Sequence, residues 1–471
     1  MAVNDLPVSL QAAIQTGFLE RRFRNALRAK LGFRAIADKE PFTGNIGETI
    51  TKTRLGLLPA ITTPMPPAQT TDITSGLTPQ NYGLEQYTLG IAQYAGTMQL
   101  NVATARVAID DLYLQNADKL GEQAVRSVDT LARNALFDMY MGGNTRVTTT
   151  LGSPATTIHV DDVRGLFASW NSQNVPVAVS SSNPLTVVVG SDSYTLVGCV
   201  ADGSAPTTIT PWLSLLSFSG TSSNSSTTPG GFSGTLTFSG NVSIADGTAS
   251  NAVVSAVAPM VVRPSNATSG AMAATTAAIS AANDLNSGKV TIEMILQAKA
   301  TMKSNAVPEV TATGNYAYYA DSIQLTGLYQ DPAFQRFFIG KPDTPEYRRG
   351  VVAEVLGCDI VETNLALVQA LAGVGTVRRG ILCGQGALVE GEFTEEAAQA
   401  AVQVDDARMM TMVDGIAHVT REPIDALKQV VTQSWYAITG FVAPTDVLTT
   451  PTTIPTANNS AWKRAIIVES L

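Results

Sequence analysis

The sequence predicts an α+β chain with a small all-β module set into it. Three observations carry this. Residues 102 to about 140 repeat apolar side chains at helical spacing, the segments before residue 100 and near the C-terminus alternate as strands do, and between Arg164 and Arg263 the only charged residues are Asp192, Asp202 and Asp246. Such a change in composition inside one chain marks a module of different surface chemistry.

Residues 8 to 36 carry Ile14, Phe18, Leu27 and Leu31 at helix-compatible spacing, with Arg21, Arg22, Arg24, Arg28, Lys30 and Arg34 and no acid from Arg21 to Arg34. The pattern suits a solvated cationic helix face, or an arm lying on an acidic neighbour or facing a polyanion. From Gly47 to Leu100 the chain turns extended. GETITKTRLG is Thr-rich and bounded by glycines, and the return run sets Tyr87, Leu89 and Ile91 on one face with Gln86, Thr88 and Gly90 on the other. The Pro- and Thr-rich stretch between them is too long for a tight turn, which predicts a projecting loop.

In the long helix the expected stripe is Leu120, Ala124, Val128, Leu131, Ala135 and Met139, closed by Gly142-Gly143-Asn144. After Trp170, the runs PLTVVVG, SYTLVGCV, LSLLSFS and FSGTLTFSG, separated by Ser-, Asp- and Gly-rich turns, predict short strands of a small β-sandwich or barrel. A second helix follows, with Ile292, Ile295, Leu296 and Met302 apolar. GNYAYYADSIQLTGLYQDPAFQRFFIG then gives an aromatic strand, a short helix and a further helix that Asp331 caps, Pro332 opens and Gly340 closes. Near the C-terminus, DGIAHVTREP and KQVVTQSWYAITGFVA predict an antiparallel ribbon with Val431, Gln433, Trp435, Ala437 and Thr439 on one face.

Composition narrows the function classes. The 471 residues are 45% hydrophobic and 15% charged with a net charge of −9, which excludes a disordered chain and argues against wholesale coating of nucleic acid. At this length, about three domains' worth, a core forms without staples or metal. Three well-separated cysteines with no CxxC pair point to a reducing compartment, and no secretory leader or membrane-spanning run is read. His159 and His418 are the only histidines, and neither lies in a nucleophile motif. GQGALVEG and GVGTVRRG lack the third glycine of a dinucleotide loop and read as turns, and no GxxxxGK[ST] occurs. Asp110-Asp111, Asp161-Asp162 and Asp405-Asp406 read as solvated surface, and Asp202-Gly203 and Asp246-Gly247 as turn dipeptides. The expectation is a non-enzymatic protein with no catalytic site, cofactor or metal.

The order of these parts resembles the major capsid proteins of tailed bacteriophages, the Hong Kong 97 fold. It comprises a basic N-terminal helix, a glycine-bounded β excursion, a long amphipathic helix, a second helix, NYAYYADSIQLTGLYQDPAFQRFF, GVVAEVLGCDIVETN and a ribbon ending in a Trp-bearing strand. The turn Asn305 to Pro308 before a Tyr-rich strand, and the helix opening Asp331 to Phe334, are similar to the coat proteins of the N-four-like phages. The resemblance covers about 1 to 145 and 285 to 471.

It implies an N-arm over 1–46, an E-loop over 47–101, a spine helix and the start of the peripheral domain over 102–145, an inserted β-rich domain over 146–285, a peripheral domain over 286–365 and an axial domain with return strands over 366–471. It also implies a homo-oligomer of pentamers and hexamers forming an icosahedral head around double-stranded DNA, assembled in the host cytoplasm. Subunit contacts fall on Arg21, Arg22, Arg24, Arg28, Arg34, Lys52, Arg54 and Tyr87. Implied partners are a separate scaffolding protein, a portal protein, packaged DNA by proximity and, where the shell is decorated, a decoration protein, with no membrane and no maturation cleavage. Covalent Lys–Asn cross-linking, seen in some relatives, would have Lys52 as its one E-loop lysine. The insert departs from the minimal pattern, and precedent implies decoration of the shell or bracing of neighbours. An encapsulin-like, non-viral compartment shell is the alternative.

Overall fold

Alternation and helical spacing become elements in a computed structural model, which describes residues 32–42, 49–55, 61–62, 84–101, 112–173, 175–206, 212–310, 314–338, 354–393, 410–421, 430–446 and 460–471. The chain divides into two units, one of Met1–Ile50, Leu89–Ala135 and Leu388–Val442, the other of Thr51–Thr88, Leu136–Ala387 and Ala443–Leu471.

The first unit is organised by the 13-residue strand Val430–Val442. One of its edges pairs antiparallel with Ile416–Arg421, and the other pairs with Ala92–Asn101 and, further along, with Leu388–Phe393. Ala37–Phe42 adds in parallel to Leu388–Phe393. The ribbon is antiparallel as its sequence predicts, and Gln433, Trp435, Ala437 and Thr439 share the buried face. Asp414 and Gly415, both at positive φ, make the two-residue turn joining Met410–Val413 to Ile416–Arg421. On the buried face sit Leu120, Ala124 and Val128 of the helix Leu112–Tyr140, packed against Ile416, Trp435 and Ala437. The indole Nε1 donates to Gln123 Oε1 at 3.1 Å, in space left open by Gly96, whose Cβ would fall 2.6 Å from that nitrogen. A Cβ on Gly440 would meet the Gly90 carbonyl oxygen at 1.8 Å, so only glycine lets the two backbones approach.

The return run ends sooner than its alternation suggests. Leu84–Gly90 pairs with Thr49–Leu55 as a separate two-stranded ribbon, Ile91 breaks the strand, and Ala92–Asn101 joins the larger sheet. The helix stripe also differs from expectation in its second half, where Ala132, Leu136, Phe137 and Tyr140 are buried while Leu131, Ala135 and Met139 are not. Steps of four residues advance 40° beyond a full turn at 100° per residue, so the contact face winds round the helix as its neighbours change. Gly143, at φ +77°, ends it as predicted.

In the second unit, the strands Asn144–Arg146, Ala252–Ser255, Leu185–Val189, Asp192–Ala201, Gly234–Val242 and Ala155–Val160 pair in that order. The two ends of the series meet through an antiparallel bridge between Val147 and Val160, flanked by Thr148 N–H to His159 carbonyl (3.0 Å) and Asp161 N–H to Arg146 carbonyl (3.1 Å). The sheet is thereby closed into a barrel, which removes its edges. Ile158, Val160, Leu185, Val187, Val189, Leu196, Leu236 and Phe238 fill it. LSLLSFS, expected as a strand, is instead a 3₁₀ turn, Leu213–Leu215, and a two-residue strand, Ser217–Phe218.

Asp161 and Asp162 are 3% and 4% exposed, which corrects their reading as solvated surface. The loop 222–233 brings backbone N–H groups and hydroxyls to a place poor in acceptors, and these carboxylates supply them: Asp161 to Thr227 N (2.8 Å) and Thr228 Oγ1 (2.9 Å), Asp162 to Arg164. Asp202 takes Ser233 Oγ at 2.7 Å and His159 Nε2 at 2.8 Å. Asp246 is also buried; burial works against its charge, but bonds from Ser191, Tyr194 and Ser243 outweigh that and bring its pKa down to about 2.

The same unit holds a sheet ordered Val261–Val262, Ala465–Ser470, Gly375–Cys383, Tyr316–Ala320, Cys358–Glu362 and Glu354–Val355. The helix Ile292–Ser304 packs on it through Ile292, Ile295, Ala298 and Met302; Leu296, expected inward, is 40% exposed and Met294 is buried in its stead. Asp331 caps two helices at once. Its Oδ1 accepts from Ala333 N (2.9 Å) in Pro332–Phe338 and its Oδ2 from Ile292 N (2.8 Å). Asp331→Ala therefore loses two caps, and an equilibrium denaturation curve should show a loss of about 2 kcal/mol. Gly340, Asp110-Asp111 and Asp405-Asp406 lie outside the described residues.

Candidate functional site

The ribbon of Thr49–Leu55 and Leu84–Gly90 flanks the Pro- and Thr-rich excursion. Along the first strand Thr49, Thr51, Thr53 and Leu55 are exposed while Ile50, Lys52 and Arg54 are half-buried. Leu55, Leu84 and Ile61 are 64%, 40% and 78% exposed, so apolar side chains face solvent where the excursion leaves the ribbon.

A charged clasp holds the ribbon. Arg54 lies over the Tyr87 ring, 6.0 Å from its centroid, with Nη1 3.2 Å from Asp446 Oδ1 and Nη2 donating to the Gly386 carbonyl at 2.8 Å. Arg464 takes the same carboxylate through Nε at 3.0 and 3.1 Å and gives Nη1 to the Gln385 carbonyl at 3.0 Å. The acceptor turn is the GQGA segment between Gly375–Cys383 and Leu388–Phe393, a turn as its sequence suggests. Gly386 is at φ +72°, and a Cβ there would lie 2.8 and 2.9 Å from the two guanidinium groups. Burial lowers the pKa of neighbouring Lys463, against the pull of Asp446 and Glu85.

Of the sequence-derived contact residues, Arg54 and Tyr87 are brought together here and Lys52 is half-buried on the same ribbon. Arg34 is engaged elsewhere within its own chain. Its Nε donates to both Glu390 oxygens (2.9 and 3.0 Å), its Nη1 lies 3.2 Å from Asp414 Oδ2, and it stays firmly charged because these acids and Glu392 outweigh the cost of burial. Lys39 meets the same Asp414 at 2.9 Å. Arg21, Arg22, Arg24 and Arg28 lie outside the described residues. Asp446, Arg464 and Gly386 were missed by sequence reasoning. Their one signal is the glycine pair around Gln385, since Asp446 and Arg464 are far away in sequence.

Other chemistry is subdued. Burial pushes the Cys358 thiol up to about 11, and those of Cys199 and Cys383 further up still, so none is a ready nucleophile. Burial lowers the His418 pKa and favours the neutral ring. Among the described residues no cluster of three metal-ligating acids, histidines or cysteines occurs, and no helix is long and apolar enough to cross a membrane.

No family model and no curated protein matches the chain. Solved structures that it is similar to include phage capsids. The capsid of Ralstonia phage GP4 matches at 11% identity and a TM-score of 0.48, with 93% of this chain and 88% of that one covered. The capsid of cyanophage P-SCSP1u matches at 11% and 0.44 over 93% and 88%, and the capsid asymmetric unit of cyanophage Pam1 at 14% and 0.43 over 95% and 91%. They are of the kind that the sequence resembles, and they do not single out the Hong Kong 97 type or the N-four-like group.

Proposed function

We propose that the chain is the major capsid protein of a tailed phage, assembling as pentamers and hexamers into an icosahedral head around double-stranded DNA. The observation that carries this reading is the order of elements on one chain: a cationic N-terminal segment, an excursion held by a clasped ribbon that exposes Leu55, Ile61 and Leu84, then a long helix seated on a Trp-bearing ribbon. Apolar side chains exposed beside such a ribbon are covered when a partner seats on them, and many copies multiply a modest contact energy into a closed shell. On this reading a separate scaffolding protein and a portal protein are its partners and the virion is its location. The barrel, whose Asp202 and Asp246 are buried, presents a surface with little charge, suited to decoration or to bracing a neighbour. The test is negative-stain microscopy of purified protein, alone and with its scaffold, across salt and concentration. Closed shells are expected; a chain that stays monomeric throughout sinks the reading, and particles filled with a protein cargo instead of DNA in cells point to a compartment shell.

A further inference from the structure

Within the second unit a small polar cleft, open to solvent, lies between the barrel strands Asn144–Arg146 and Ala252–Ser255 and the segment 263–276. Arg146, Arg263, Asp161, Thr145 and Thr275 contribute to its wall. The acceptors here are already occupied. Asp161 takes the Thr227 backbone and hydroxyl, the Thr228 hydroxyl and Arg146 Nη2. Glu469, behind Arg263, takes Arg263 Nε at 2.7 Å, Arg379 Nε at 2.9 Å and the Thr276 hydroxyl at 2.9 Å.

The donors are not all used. Arg263 gives Nε to Glu469 and Nη1 to the Ala274 carbonyl, which leaves Nη2. Arg146 gives Nη2 to Asp161 and Thr227, which leaves Nε and Nη1. Thr145 Oγ1 accepts from Asp162 N, so its proton is available, and the Thr275 hydroxyl is unengaged among the described residues. Against these stands the Asn144 amide oxygen, whose nitrogen is turned to the Pro259 carbonyl. Charge runs the same way, because three guanidinium groups, Arg146, Arg263 and Arg379, share two carboxylates, Asp161 and Glu469. Arg379 is 1% exposed and its Nη1 is buried without an acceptor.

A polar cleft with spare donors, few spare acceptors and surplus positive charge suits a ligand that only accepts. We propose that it binds one small tetrahedral oxyanion of the phosphate or sulfate class, with Arg146, Arg263, Thr145 and Thr275 as donors. Planar guanidinium groups match the paired oxygens of such an ion better than they match a monatomic one. Bound there, the ion ties the barrel to the segment 263–276 and stabilises the folded chain by mass action.

The test uses the full chain with inorganic phosphate as the probe, exchanged for chloride at fixed ionic strength. Expected are a saturable rise in melting temperature with phosphate, a one-to-one calorimetric isotherm, and binding weakened by about tenfold in Thr275→Val and in Arg146→Gln. Thr275→Val exchanges a hydroxyl that caps no helix for a methyl group of similar size, so it should melt in chloride as the parent chain does and keeps the test decisive if Arg146→Gln fails to fold. Equal stabilisation by chloride, no saturable isotherm, or unchanged phosphate affinity in Thr275→Val together with any folded Arg146→Gln would overturn the proposal.

Discussion

Glu469→Gln should lower the unfolding free energy of the second unit by about 3–5 kcal/mol, the cost of removing one partner from a buried ion cluster. The carboxylate is 2% exposed and stands between Arg263 and Arg379, themselves 6% and 1% exposed. An amide of the same size keeps the packing but leaves two guanidinium groups in the interior without a counter-charge. The reporter is close at hand, since Trp170, Trp212 and Trp462 touch one another with centroids 5.1 to 6.3 Å apart in that unit. Their emission during guanidinium denaturation would follow the transition, and a midpoint unchanged by the substitution would refute the argument.

Acid gives an independent arm of the same test. Burial alone would raise the Glu469 pKa, but Arg263 and Arg379 outweigh it and hold the pKa down at about 2 against an ordinary 4.5. A pKa depressed in the folded chain means that the unfolded chain takes up the proton first. The stabilisation is therefore complete above about pH 4.5 and is lost as pH falls from there towards 2, to the extent of about 3 kcal/mol. Glu469→Gln should flatten that limb, leaving the smaller contribution of Asp246, whose pKa is also about 2. Parallel acid profiles in the two proteins would contradict the assignment.

The second large effect is expected on assembly. Asp446→Ala removes the carboxylate that Arg54 and Arg464 share, and Gly386→Ala places a methyl group 2.8 to 2.9 Å from both guanidinium groups while forcing a non-glycine residue to φ +72°. Each should free the ribbon while the barrel stays folded. Amides of 84–90 should exchange hydrogen faster while those of the barrel strands stay protected, and the yield of closed shells should fall by about tenfold or more, because a loss of about 1 kcal/mol per contact repeats across many copies. Unaltered exchange would show that the clasp does not hold the ribbon. Faster exchange with normal shell yield would show that the ribbon is not an assembly element.

Much of the local structure is legible in the sequence because it depends on neighbours in the chain. Asp331 with Pro332 marks a helix start, Gly142-Gly143 a helix end, and Gln433, Trp435, Ala437 and Thr439 one strand face. Where the reading failed, partners remote in sequence had intervened. Leu131 and Leu296 carry the apolarity of core residues, yet which side of a helix is buried depends on what packs there, and Ala132 and Met294 took those places. Asp161 and Asp162 read as surface because a carboxylate is ordinarily solvated. They are buried because a loop some 65 residues on brings donors that nothing else accepts.

The candidate site divides in the same way. By itself the sequence determined that an extended ribbon carrying Lys52, Arg54 and Tyr87 flanks a long excursion, that a long helix has one apolar side, and that a nearly uncharged β-rich stretch lies between Arg164 and Arg263. These follow from periodicity and composition, which are properties of contiguous residues. Only the tertiary structure decided that Arg54 meets Asp446, that Arg34 is taken by Glu390 and Asp414, that the β strands close into a barrel at Val147 and Val160, and that Glu469 joins Arg263 to Arg379. Each of these joins partners more than ten residues apart, and most join partners tens to hundreds apart. Such contacts depend on which strand edges and charges the folded chain brings within hydrogen-bonding reach, and no spacing along the sequence encodes that.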